Sequence, residues 1–81
     1  MLEELVAIKI LDNYRLYVEF DDGRKGIFDV TPYLDKGIFC ELKDPAYFAK
    51  AYLSYGTVTW PNEQDFAPET IAYELQSAKA A

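Results

Sequence analysis

The chain has 81 residues and a formal net charge of −6, from 14 acidic and 8 basic side chains, with a pI near 4.4. It has no histidine and one cysteine. The length predicts a single domain over residues 1–81, the charge argues against direct nucleic-acid binding and against a membrane surface, and the missing imidazoles exclude histidine as a general base or zinc ligand.

The first part of the chain predicts three strands. Segments rich in β-branched and aromatic residues run from Leu5 to Ile10, Tyr14 to Phe20 and Arg24 to Val30, with turn residues between them. Short connections of this kind join antiparallel neighbours. The sequence therefore predicts an antiparallel β-meander.

The register of the second hairpin follows from its cross-strand pairs. A three-residue turn, Asp21-Asp22-Gly23, with Gly23 in a left-handed conformation, pairs Leu16 with Phe28 and Tyr17 with Ile27. A two-residue turn would mix charged and apolar residues on both faces of the sheet. We therefore predict the three-residue turn.

The same register places Tyr17 and Ile27 outside the core, with Arg15 on the same face. An aromatic and apolar patch that no helix covers commonly marks an interface. These three residues are our first candidate interaction site.

For the first hairpin we predict a turn at Leu11-Asp12-Asn13, with Asn13 at positive φ. This turn puts Val6, Ile8 and Ile10 on the core face. It also places Lys9 beside Arg15, which is an unfavourable pair of like charges.

Helix signals occupy the middle of the chain. Thr31 is predicted to cap a helical turn over Pro32 to Lys36 that ends at Gly37, and Asp44 to cap a short helix from Pro45 to Lys50. A further set of residues is predicted to be buried around these helices, namely Ile38, Phe39, Cys40, Leu42 and Phe48.

The last third predicts two short strands and a helix. The segments from Ala51 to Tyr55 and from Thr57 to Trp60 are separated by Gly56, and Pro68 opens a helix with its apolar side at Ile71, Ala72 and Leu75. The overall prediction is an α+β fold, consisting of a three-stranded meander, short helices, one or two further short strands and a C-terminal helix.

Trp60, Asn62 and Asp65 form the second candidate site. In a structural interpretation, Trp60 lies in the core and Asp65 accepts hydrogen bonds from the backbone just before the last helix. In a functional interpretation, Trp60 is an interface anchor, or all three residues surround a ligand pocket. Metal binding by Asn62, Glu63 and Asp65 has weak support, because no EF-hand pattern is present. Since no glycine-rich phosphate loop occurs either, we expect no cofactor.

Five segments together resemble a known family. They are Tyr14-Arg15-Leu16, Phe20-x-x-Gly23, Phe28-Asp29, Leu42-x-Asp44-Pro45-x-x-Phe48 and Trp60-Pro61-Asn62-x-x-Asp65-x-x-Pro68. In this order they resemble the bacterial domain of unknown function 2442 family over almost the whole chain. The resemblance implies a small intracellular α+β domain without an established activity, and a role beside another small protein in a toxin–antitoxin-like unit. Glu63 stands where that family commonly has glycine, so we expect Asn62 to carry the positive φ.

Two functional hypotheses follow. The first is a non-catalytic protein-interaction module that pairs with itself or acts as the acidic member of a toxin–antitoxin-like pair. The alternative is a small ligand-binding domain or enzyme that uses Trp60, Asn62 and Asp65. The lone cysteine and the acidic start of the chain favour the cytoplasm.

Overall fold

The fold is an antiparallel three-stranded meander followed by short helices, a separate two-stranded sheet and a C-terminal helix, in a computed structural model that describes residues 4–80, with side chains to residue 75. The meander consists of β1 (Leu5–Leu11), β2 (Arg15–Phe20) and β3 (Lys25–Asp29), in the sheet order β1-β2-β3. There follow 3₁₀ helices at Thr31–Tyr33 and Gly37–Lys43, helix α1 (Pro45–Phe48), the antiparallel pair β4 (Tyr52–Ser54) and β5 (Thr57–Thr59), and helix α2 (Pro68–Ala80). The predicted α+β architecture is confirmed.

The second hairpin has the predicted three-residue turn. Leu16 pairs with Phe28 and Tyr17 with Ile27. Gly23 adopts a φ of 97° and donates its N–H to the carbonyl oxygen of Phe20 over 3.1 Å. Glycine reaches this left-handed conformation without the steric cost that a Cβ imposes.

The first hairpin departs from the prediction. Lys9 pairs with Tyr17, and Leu11 pairs with Arg15, so the loop comprises residues 12–14 and the predicted turn at Leu11-Asp12-Asn13 is wrong. Asn13 has the predicted positive φ, at 61°, and Tyr14 follows at 60°. The observed register removes the unfavourable contact between Lys9 and Arg15.

A β-bulge explains a second error in β1. The register shifts between Leu5 and Ala7, so that Leu5 is buried at 3% exposure while Val6 is 55% exposed. The prediction that Val6 lies in the core is therefore wrong, because the extra residue reverses the alternation of the strand at that point. Ile8 and Ile10 do pack against the core, as predicted.

The two 3₁₀ helices differ from the predicted pattern. The first of these helices runs from Thr31 to Tyr33 with Val30 at the N-cap position, so the predicted Thr31 cap and the predicted end at Lys36 are wrong. The Thr31 N–H donates to the Asp29 carboxylate over 3.0 Å. In the helix Gly37–Lys43, apolar Phe39 and Leu42 lie three residues apart, which is one 3₁₀ turn, and pack into the core. Ile38, at 64% exposure, and Cys40 fall on the other sides of this helix, so their predicted burial is wrong.

Helix α1 begins as predicted and ends early. The Asp44 carboxylate accepts the N–H of Ala46 over 3.0 Å, which confirms the N-cap, and Phe48 is buried. The helix ends at Phe48 and not at Lys50, because the next N–H groups bond three residues back: Lys50 donates to Tyr47, and Ala51 to Phe48.

The core lies between the inner face of the meander and the rest of the chain. Phe66 is central to it, because its ring contacts those of Phe28, Tyr33, Phe39 and Trp60 at centroid distances from 4.7 to 6.1 Å. Helix α2 buries Ile71 and Ala72, as predicted, and its Leu75 packs against the core. Of the helices in the described part of the chain, none is long and apolar enough to cross a membrane.

Candidate functional site

The outer side of the meander presents nine side chains in three cross-strand rows, which we call the open face. The rows are Leu11, Arg15 and Asp29; Lys9, Tyr17 and Ile27; and Ala7, Glu19 and Lys25. Five of the nine are exposed and the other four are half-buried. The opposite side of the sheet is the core side, so the first candidate residues, Arg15, Tyr17 and Ile27, lie together on the open face as predicted.

Tyr17 is the centre of the open face. Lys9 lies opposite it on β1 and Ile27, at 45% exposure, on β3. Around Tyr17 runs a shallow groove of about 480 Å³, lined mainly by residues of the open face and by Ile8. The groove therefore has an aromatic side chain at its centre and charged side chains around it.

The charges of the open face nearly balance. It carries three basic and two acidic side chains, which gives a net charge of +1. Since the whole chain has a net charge of −6, the residues outside the open face together carry −7. Partial burial, and then the negative charge of Glu19, raise the pKa of the Tyr17 hydroxyl above its ordinary value. That hydroxyl is protonated at neutral pH and can donate a hydrogen bond to a partner.

The second candidate site is divided between the interior and the surface. Trp60 is fully buried, and its Nε1–H donates to the carbonyl oxygen of Phe48 over 2.9 Å. Asp65 is exposed, its backbone forms a bridge to Thr59, and its side chain accepts no hydrogen bond within the described residues, so the predicted contact with the backbone is wrong. Trp60 therefore has its structural role, and its ring is not accessible as an interface anchor or to a ligand.

Asn62 belongs to a hydrogen-bond network around Gln64, whose side chain is 2% exposed. The Gln64 amide donates to Glu41 over 2.8 Å and to the carbonyl oxygen of Ile38 over 3.1 Å, and accepts the Tyr47 hydroxyl over 2.7 Å. Asn62 donates its side-chain amide to Glu41 over 2.7 Å, and its backbone N–H to the Tyr47 hydroxyl over 2.8 Å.

This network, which we call the polar clamp, ties the second 3₁₀ helix and α1 to the segment after Trp60. Hydrogen bonds from Asn62, and then from Gln64, hold the pKa of Glu41 below its usual value. Within the described residues no buried side-chain nitrogen or oxygen lacks a partner. Since the polar groups of the clamp form their hydrogen bonds with one another, the role of the clamp is structural.

Sequence reasoning missed three members of the polar clamp. Gln64 lies inside the Trp60 to Pro68 segment, but between two acidic residues it resembles an ordinary surface position. Glu41 and Tyr47 lie far from it in sequence, and no periodic pattern links them. The burial of a glutamine that bridges three segments can be predicted only when the tertiary structure is known.

The segment after Trp60 repeats the geometry of the second hairpin. Trp60 accepts the N–H of Glu63 and donates its own N–H to Gln64, both over 2.9 Å, as Phe20 does with Gly23 and Arg24. The third loop residue is left-handed in both, with φ of 74° at Glu63. The expectation that Asn62 would take the positive φ is therefore wrong.

The described residues offer no assembled metal site. No three of their aspartate, glutamate or cysteine side chains lie close enough together to hold an ion. Both carboxylate oxygens of Glu41 already accept hydrogen bonds.

Comparison with known proteins gives one positive finding. Neither the curated proteins nor the solved structures contain a significant match to the chain. The model of a family described as "Protein of unknown function (DUF2442)" matches residues 5–77. The match covers all five strands and most of α2, and the resemblance seen in the sequence is confirmed: the chain belongs to the DUF2442 family.

Proposed function

We propose that the chain is a non-catalytic protein-interaction module that binds its partner through the open face. The observation that carries the proposal is the direct pairing of Tyr17 with Ile27 on a sheet face outside the core. Tyrosine supplies a large contact area with few rotatable bonds, and it is enriched among the residues that dominate binding energy. The charged rim around it is typical of protein interfaces.

The proposed partner is a small basic protein, as in a toxin–antitoxin-like pair. The negative charge outside the open face would attract such a protein at long range, while the nearly neutral open face makes the contact. Added salt should therefore slow association more than it speeds dissociation. The expected compartment is the cytoplasm, since a lone cysteine fits a reducing environment.

The proposal excludes catalysis by the chain itself. The sequence has no histidine, and the tryptophan of the second candidate site is enclosed in the core. The Glu41 carboxylate is engaged by two amides of the polar clamp, which hold its pKa below the usual value. A general acid needs the opposite environment, one that raises the carboxyl pKa.

The decisive experiment compares two tyrosine-to-glutamate variants. Candidate partners are identified by co-purification from the native cell and mass spectrometry, then purified and titrated calorimetrically. Tyr17→Glu should weaken binding by about thirtyfold or more, the loss of one dominant contact. Tyr55→Glu, at a fully exposed tyrosine in the turn between β4 and β5, should leave it unchanged.

Circular dichroism must show both variants folded. Equal binding by wild type and Tyr17→Glu would refute the open face as the contact surface. A turnover that disappears when one carboxyl residue is replaced, in a folded variant, would refute the non-catalytic assignment.

A further inference from the structure

The outer edge of β3 has backbone groups available for pairing. No described strand lies beyond β3 in its sheet. In β2 and β3, Phe20 donates its N–H to Arg24 and Val30 donates its N–H to Tyr14, which marks these as hydrogen-bonded pairs. Hydrogen-bonded pairs alternate along an antiparallel ladder, so the backbone groups at positions 25, 27 and 29 point away from β2.

The side chains at these three positions are arranged symmetrically. Ile27 is central, with Lys25 two residues before it and Asp29 two residues after it, all exposed on the open face. Neither charge forms an ion pair within the described residues, although Glu19 and Arg15 lie across the strand from them. The edge thus carries two available charges of opposite sign, equally spaced about an aliphatic residue.

We propose that this edge binds a second copy of the chain, with the two β3 strands antiparallel about a two-fold axis at Ile27. Ile27 then faces its own counterpart, and Lys25 faces the Asp29 of the second copy on both sides of the axis. The outward N–H and C=O groups of all three positions find partners, and the two meanders become one continuous sheet.

No other antiparallel register satisfies the same conditions. If the strands slide so that Lys25 or Asp29 lies on the axis, that residue faces its own copy and like charges meet. In the intermediate registers, Ile27 lies opposite a charged residue. Charged residues on edge strands commonly prevent strand pairing. Two charges of the same sign would oppose pairing in every register, whereas one positive and one negative charge allow pairing in a single register. The other edge strand, β1, is less available, because Leu5 donates its N–H to Gly56 in the turn between β4 and β5.

This inference concerns the edge of the sheet, and the proposed function concerns the groove around Tyr17. Ile27 belongs to both surfaces, so variants at Lys25 and Asp29, and not at Ile27, separate the two proposals. Lys25 and Asp29 do not line that groove. A contact between two five-residue strands is small, so the dimer is expected to be weak and to form at high protein concentration.

Sedimentation equilibrium at about 0.15 M salt, where long-range repulsion between the acidic chains is screened, tests the proposal up to about 1 mM protein. The wild type should form a concentration-dependent dimer. Each of the variants Lys25→Asp and Asp29→Lys places like charges opposite each other on both sides of the two-fold axis. Each should therefore weaken the dimer about tenfold or more. Mixing the two variants opposes Asp to Lys at every pair and should restore wild-type affinity in a heterodimer.

Two controls complete the design. Lys50→Asp makes the same change in net charge as Lys25→Asp at an exposed residue outside the sheet, and should not alter dimerisation. Asp29→Asn keeps an acceptor for the Thr31 N–H while removing the charge, so it should weaken the dimer less than Asp29→Lys and stays informative if the lysine variant unfolds.

A wild type that stays monomeric throughout, folded single variants that dimerise as well as the wild type, or a mixture no stronger than its components would each overturn the proposal. Binding of the partner protein is measured separately on Lys25→Asp. Retained partner binding with a weakened dimer would show that the two surfaces act independently.

Discussion

Replacing Glu63 by glycine should stabilise the protein. Glu63 adopts a φ of 74° at the third position of its loop, where the matching loop of the second hairpin has Gly23. It is exposed, and its carboxylate forms no hydrogen bond or ion pair within the described residues, so its removal costs no specific contact.

The size of the effect follows from two opposing terms. The left-handed conformation costs a residue with a Cβ roughly 1–2 kcal/mol, and glycine loses about 0.5–1 kcal/mol more through backbone entropy. The net gain for Glu63→Gly is therefore about 0.5–1 kcal/mol. For a domain of this length it corresponds to a rise of about 2–8 °C in Tm.

Urea and thermal unfolding, followed by circular dichroism, measure the change. Glu63→Ala is the matched control, because it removes the same charge and side chain but retains the Cβ, and should give none of this gain. Gly23→Ala should lower stability by about 1 kcal/mol, since the new Cβ would touch nothing within 4 Å and the cost is purely conformational. If Glu63→Gly is no more stable than Glu63→Ala, the assignment of backbone strain to this position is refuted.

Two further predictions concern the polar clamp. Gln64→Leu leaves the Tyr47 O–H without its acceptor and the Ile38 carbonyl without its side-chain donor, which should cost about 2–4 kcal/mol in the free energy of unfolding. A loss below about 1 kcal/mol by urea titration would contradict a structural role. The lowered pKa of Glu41 contributes stability above its unfolded pKa, near 4.5, that is lost as the pH falls through the folded value. The stability difference between wild type and Glu41→Gln should therefore shrink on acidification, and a difference that stays constant with pH would refute the linkage.

The sheet and its two faces could be predicted because they depend on local alternation. In the second hairpin, charge pairs and apolar pairs agree on one register, and a glycine stands where the turn needs a left-handed residue. The β2 and β3 residues of the open face follow from that register. In the first hairpin two consecutive non-glycine residues, Asn13 and Tyr14, take positive φ, and no sequence rule identifies Tyr14 as able to do so.

The positions that could not be predicted depend on contacts between distant segments. Tyr14 is held by its hydroxyl, which donates to the carbonyl oxygen of Lys43, and by the edge of the Phe48 ring. Gln64 is buried because Tyr47 and Glu41 arrive from another part of the chain to satisfy its amide. The local pattern predicts an exposed position for Gln64, since burial of an amide is favourable only when each of its hydrogen bonds is provided.

The division between the polar clamp and the open face predicts that folding and the proposed binding are separable in this chain. The clamp fixes the segments on the core side of the sheet, and its groups are occupied by one another, so a change at Gln64 should lower stability and affect binding only through the fraction of folded protein. Tyr17 is half-buried on the other side of the sheet and outside the clamp, so a change there should affect binding with little effect on folding. A partner-binding constant that changes with Gln64 in fully folded protein would mean that the two sides of the sheet are coupled, and that the open face is not an independent contact surface.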